Sequence, residues 1–275
     1  MTIEEVFKNK DLIIAEKNNV IKHCDLVFNK VESSNQTKLD ANKEGISLEV
    51  QDPTILRAKV VINTTNLIDS HMDCHIPNLW SKSLSETKVL YLLQEHEMEF
   101  DSIIADSVKD GLKAYTETMS FKSLGYNYKG NTEALIFDTQ IKQDVNPFMF
   151  DLYKKGRVYN HSVGMRYVKL YLCINSNEAE YSAEKDNWDK YYKFVANKEV
   201  ADEKGFFWAV TEAKVIEGSA VVKGSNECTP VMEIEIEKEN IENIEPSEDT
   251  QNKEENEPIE EITQEVKKSI NLNFY

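Results

Sequence analysis

The chain has 275 residues, 40% of them hydrophobic, enough for one sizeable core or two small ones. Its net charge of −17 argues against a nucleic-acid backbone as a direct partner, and no apolar run approaches the roughly 18 residues that a membrane helix needs. Four scattered cysteines, Cys24, Cys74, Cys173 and Cys228, form no CxxC pair and do not read as a disulfide framework.

In chain order, residues 1–56 mix helical and extended signals and are expected to form a partly ordered extension, with KVESSNQTKLDANKEG as a loop inside it. The opening MTIEEVFKNKDLIIAEKNN lacks the basic-then-apolar layout of a secretory leader, so a cytosolic protein is expected. RAKVVIN (57–63) predicts a strand, and NTTNLIDSHMDCHIPNLW a long connection. KVLYLL (88–93) predicts a strand running into QEHEMEFD. DSIIADSVKDGLKAYTETM (101–119) sets Ile104, Val108, Leu112 and Tyr115 on one helical face behind a capping Asp101–Ser102, and so predicts a helix. GYNYKGNTEALIFDTQI predicts a turn and a strand, and NPFMFDLYKKGRV a short helix stopping near Gly156.

A strand follows at 165–174, then a polar insertion at 176–206 with clustered Tyr and Trp, expected to be helical. FFWAVTEAKVIEGSAVV is apolar and β-prone. The mixed order of elements predicts an α+β domain over 57–231, built on an antiparallel sheet or barrel. Residues 232–275 carry 14 acidic and 4 basic side chains and few aromatics, and are expected to be a disordered acidic tail.

Three residues stand out chemically. Val168, Leu170 and Leu172 alternate with Lys169 and Tyr171, and counting back on that parity puts Arg166, Gly164 and Ser162 on the inward face. A serine there, beside a flexible glycine, suits a nucleophile; it equally suits a plain strand-start serine. His96 lies on the parity of Leu90 and Leu92 at a strand end, where a general base can be held, or where a solvent-facing histidine can sit between Glu95 and Glu97. Glu217 continues the stripe Ala209, Thr211, Ala213, Val215, and a buried carboxylate there needs a partner such as an imidazolium. The alternatives are a strand ending at Val215, or Glu212 as the paired acid. Separate strand ends can converge into nucleophile, base and orienting acid. His161 points to the opposite face from Ser162 and is not enlisted. His71, Cys74 and His75 spell H-x-x-C-H, but His23 and Cys24 make a poor second cluster for structural zinc, so no metal is expected.

Three blocks, in order over roughly residues 60–231, resemble the tailed-phage prohead serine proteases: LIDSHMDCHIPNLWSKSLSETKVLYLLQEHEMEFD, YKKGRVYNHSVGMRYVKL and WAVTEAKVIEGSAVVKGSNECTP. The resemblance implies Ser162 as nucleophile, His96 as base and Glu217 as third member, with backbone N–H groups near Gly164, helped by Arg166, at the oxyanion. The chain departs from the family pattern at Gly218, at the missing proline before Asn226 and in the 176–206 insertion. The family is distantly similar to herpesvirus assemblin, which implies a compact β-barrel ringed by helices. It also implies capsid and scaffold proteins as substrates, a homo-oligomer inside the assembling prohead in the host cytoplasm, and no cofactor. The acidic tail and polar insertion would equally suit a non-enzymatic scaffolding or virion structural protein that keeps the fold.

Overall fold

A computed structural model describes residues 1–21, 53–224, 226 and 228–236. Most of the expected acidic tail therefore lies outside the described residues, as do His23, Cys24 and the predicted loop at 30–45. Two helices open the chain, α1 (Ile3–Lys8) and α2 (Lys10–Asn19). Thr2 and Glu5 cap α1 reciprocally, each side chain accepting the other residue's backbone N–H. The body follows as β1 (Ile55–Thr64), β2 (Asp73–His75), α3 (Ser81–Glu86), β3 (Tyr91–Gln94), β4 (Ile103–Asp106), β5 (Lys113–Ser120) and β6 (Asn131–Lys142). It is completed by α4 (Pro147–Lys154), β7 (Asn160–Ile174), α5 (Ser182–Tyr191), α6 (Lys198–Lys204), β8 (Phe206–Val221) and β9 (Val231–Ile236).

The strands make two sheets. One is antiparallel throughout, in the order β5–β6–β1–β9. The other is organised by β8, which pairs antiparallel with β7 along nearly its whole length. It also runs parallel to β2 near Trp208–Val210 and to β3 near Gly218–Ala220. β4 closes this sheet antiparallel to β3. Between the sheets lies an apolar core that includes Leu56, Ile62, Trp80, Leu92, Phe137, Phe150, Met165 and Trp208. At Gly218 the sheets pack tightly: a Cβ there would stand 2.7 Å from the Phe137 ring and 3.0 Å from Ile62. The architecture is α+β and mainly antiparallel, but the described strands form two open sheets, and the closed barrel expected from the resemblance is not formed.

The helix predicted over 101–119 is instead two strands, β4 and β5, joined by a turn. Asp106 Oδ1 accepts the backbone N–H groups of Val108 and Lys109 at 2.6 and 2.7 Å, a side-chain competitor to helical hydrogen bonding. Gly111 then turns the chain at φ +66°. The supposed helical stripe dissolves, since Ile104 is buried and Val108 is 64% exposed. The long connection after β1 contains the short strand β2, and the acidic segment from 232 begins as β9, whose MEIEI alternation pairs with β1. Both follow from period-2 signals too short or too acidic to stand out. The 176–206 insertion is helical, as α5 and α6, and α4 is capped by Asn146 and released at Gly156. Among the described residues no helix is long and apolar enough to cross a membrane.

Candidate active site

Irregularities in the β7–β8 ladder decide which side chains share a face. Gly164 pairs with Glu217 but Met165 with Val215, so Ile216 is an extra residue in β8. Tyr167 pairs with Ala213 and Lys169 with Glu212, so Val168 is extra in β7. Each extra residue reverses the alternation beyond it. The core-facing residues of β7 are accordingly Val163, Met165 and Tyr167, then Leu170, Leu172 and Ile174. Ser162, Gly164 and Arg166 therefore lie on the face opposite Leu170 and Leu172, not on the same inward face as the uninterrupted count predicts. Glu217 is displaced likewise: Ala213 and Val215 join the core, whereas Glu217 turns to the face bearing Ser162.

That outer face is nonetheless closed. Ser162 is 3% exposed and Glu217 1%. The loop after β3 provides His96 by leaving strand geometry altogether, because Glu95 and His96 both adopt left-handed backbone at φ +52° and +63°. Such positions cost on the order of 1–3 kcal/mol each and persist where neighbours over-determine them. Here β8 does so. Ala220 O accepts the Glu95 N–H at 2.9 Å, Ser219 Oγ accepts the His96 N–H at 3.2 Å, and Glu95 Oε1 accepts the Val222 N–H at 3.0 Å.

His96 Nδ1 and Glu217 Oε1 lie 2.7 Å apart, with the imidazole side chain 14% exposed and the carboxylate enclosed. An ionised carboxylate can only accept, so Nδ1 carries the hydrogen and Nε2 is the basic nitrogen of the neutral ring. The second oxygen, Oε2, accepts from Ser219 Oγ at 2.5 Å. Ser162 is directly opposite Ser219 in the ladder. Opposed residues of an antiparallel pair share a face, with Cβ atoms roughly 4.5–5.5 Å apart. The Ser162 hydroxyl is buried and finds no hydrogen-bond partner among the described residues, an exception for which a buried polar group calls for an explanation.

Gly164 is opposite Glu217, and a Cβ there would fall 1.9 Å from Oε1, so the carboxylate occupies the space that glycine leaves. Arg166 lies two residues along the same face and is exposed. Glu212, the alternative acid, is engaged elsewhere: Lys169 binds its Oε2, and Lys82 reaches its Oε1 at 3.4 Å. His161 faces away from the site, bound through Nε2 to the Tyr153 hydroxyl at 2.8 Å, and burial lowers its pKa to about 4. Its backbone N–H donates to Thr229, tying the start of β7 to the segment that Asn226 anchors on Thr64.

The H-x-x-C-H stretch serves a second cluster, most of it buried. His75 Nε2 is 3.0 Å from the Tyr167 hydroxyl, which donates to Asp73 Oδ2 at 3.1 Å, and Lys17 of α2 forms an ion pair with Asp73. Burial, followed by the charge of Asp73, raises the Asp69 carboxyl to about 7. Cys74 is buried nearby with its thiol pushed up by desolvation. No group of three His, Cys, Asp or Glu among the described residues is arranged to hold a metal ion. Sequence reasoning missed this cluster, and it missed Ser219, which an E-x-S spacing on one strand parity would have exposed.

Fold and site together define an α+β protein that carries a carboxylate–imidazole pair beside a buried, unpartnered hydroxyl. No family model matches the chain, and no curated protein or solved structure matches it either.

Proposed function

We propose that the chain is a serine endopeptidase that processes capsid and scaffold proteins during phage head assembly. One observation carries the reading: Glu217, hydrogen-bonded to His96, shares a sheet face with the Ser162 hydroxyl, which is buried without a hydrogen-bond partner among the described residues. The ordered resemblance of three sequence blocks to prohead proteases supports the substrate class, the homo-oligomer and the site of action inside the prohead in the host cytoplasm.

In the mechanism, the Ser162 Oγ–C bond forms at the scissile carbonyl while His96 Nε2 takes the hydroxyl proton. Glu217, bonded to Nδ1, stabilises the resulting imidazolium and holds the ring's orientation. Backbone N–H groups near Gly164 meet the oxyanion, with the exposed Arg166 beside them; one such donor is typically worth about 2.7–4 kcal/mol in the transition state. The C–N bond breaks and the leaving amine takes the proton from His96. Water then attacks the acyl-enzyme, returns a proton through His96, and releases the carboxylic acid and the Ser162 hydroxyl. No step calls on a cofactor.

The test is co-expression with the capsid and scaffold proteins, with shortened products read on a gel. Ser162→Ala is expected to abolish them while leaving circular dichroism unchanged. Cleavage that persists in this variant removes Ser162 as nucleophile. Absence of cleavage by the wild-type chain would favour the scaffolding alternative.

A further inference from the structure

We infer that Ser219 is a positioning residue that couples the acid and the base of this site, an inference that rests on the serine-peptidase reading. Its hydroxyl has one hydrogen, and that hydrogen goes to Glu217 Oε2 at 2.5 Å. Its lone pair accepts the backbone N–H of His96 at 3.2 Å. A single side chain thus holds the carboxylate oxygen that the imidazole does not use and the left-handed peptide that presents the imidazole. The contact across the ladder makes this hold necessary. Gly164 offers no side chain opposite Glu217, only the space into which Oε1 projects. Ser219 supplies the constraint from its own strand, two residues on.

Ser219 is not a rival nucleophile. It is fully buried and its hydrogen is committed to the carboxylate, whereas the Ser162 hydroxyl opposite has no hydrogen-bond partner among the described residues. The chemistry requires one serine to react and the other to orient, and the two hydrogen-bond inventories divide the roles in that way.

A fluorophosphonate probe tests both levels with the full-length chain. On labelling, the Ser162 O–P bond forms, the P–F bond breaks, fluoride leaves, and the hydroxyl proton passes to His96. Wild type is expected to label and Ser162→Ala not to. Ser219→Ala is expected to label about tenfold more slowly or worse, as fits the loss of a hydrogen bond to a charged group, with a shifted pH midpoint and a melting temperature near wild type. Ser219→Thr, which returns a hydroxyl, is expected to recover rate. Labelling of Ser219→Ala at the wild-type rate and pH midpoint overturns the inference and leaves the peptidase reading standing. A wild type that does not label at Ser162 overturns the peptidase reading instead.

Proton NMR judges the positioning role separately. The downfield Nδ1–H resonance of His96, assigned by its loss in His96→Ala, should disappear or broaden in Ser219→Ala. A sharp, unshifted resonance in that variant sinks the inference whatever the labelling shows.

Discussion

His96 and His75 each stand near a carboxylate, and they do opposite things. His96 sits at a partly exposed rim, bonded directly to Glu217 and supported by Ser219. His75 is enclosed, bonded to the Tyr167 hydroxyl, and that phenol links it to Asp73. Burial pulls the His75 pKa down to about 4 and so keeps its ring neutral, while Asp73 is spent on Lys17 of the N-terminal helix. The strongly perturbed His75 thus serves the structure. A large pKa shift marks desolvation as readily as it marks chemistry. The contrast that identifies the candidate site is a different one: a directly oriented ring at a solvent edge, beside a hydroxyl without a hydrogen-bond partner among the described residues.

The comparison breaks most easily at the rim. His96→Ala is expected to lower the rate of peptide cleavage or probe labelling on the order of 10²–10⁴-fold, with an unfolding midpoint close to wild type; unchanged turnover would strip Ser162 of its base. The buried cluster should respond in the reverse sense. Asp73→Ala leaves the Lys17 ammonium buried and unpaired, and denaturant titration should register a loss of about 3–5 kcal/mol, while the folded fraction keeps its labelling rate.

His161 sharpens the pH side of the contrast. Its folded-state pKa, about 4, lies below the unfolded value of 6.5 because burial disfavours the charged ring. The unfolded chain therefore binds the extra proton. The stability held in the neutral ring is fully present above 6.5 and is lost as pH falls through 4, by about 3 kcal/mol at most. Unfolding free energies of wild type and His161→Gln, measured from pH 7 to 4, should converge as pH drops; parallel curves would show that His161 carries no linkage. The smallest expected effect on stability is at Gly164. A methyl group there collides with Glu217 Oε1, which should cost about 1–3 kcal/mol and slow labelling, since the carboxylate must leave the imidazole. Full activity in Gly164→Ala would mean that the carboxylate position is immaterial.

Local signals were legible where they were strong and uninterrupted. The apolar, β-prone runs RAKVVIN and FFWAV, the Asn–Pro start and glycine stop around α4, and the polar, aromatic-spaced insertion after β7 all mark elements that the fold contains. The 101–119 stretch misled because Ile104, Val108, Leu112 and Tyr115 stand at helical spacing, whereas the Asp106 side chain together with Gly111 sets a turn between two short strands. Ser162, His96 and Glu217 were recognisable as chemically unusual residues at strand ends, yet the parity used to orient them failed. Val168 and Ile216 are extra residues in the ladder, and no composition signal announces a bulge.

What the sequence by itself determined is therefore the set of elements with consistent period and the identity of the candidate site residues, because both depend on neighbours a few residues away. The tertiary structure alone decided that His96 meets Glu217 across 121 positions of chain, that Ser219 binds both, and that the strands close into two open sheets. Those outcomes rest on ladder register and on a left-handed turn held by another strand, and both are properties of pairing between segments that no single segment encodes.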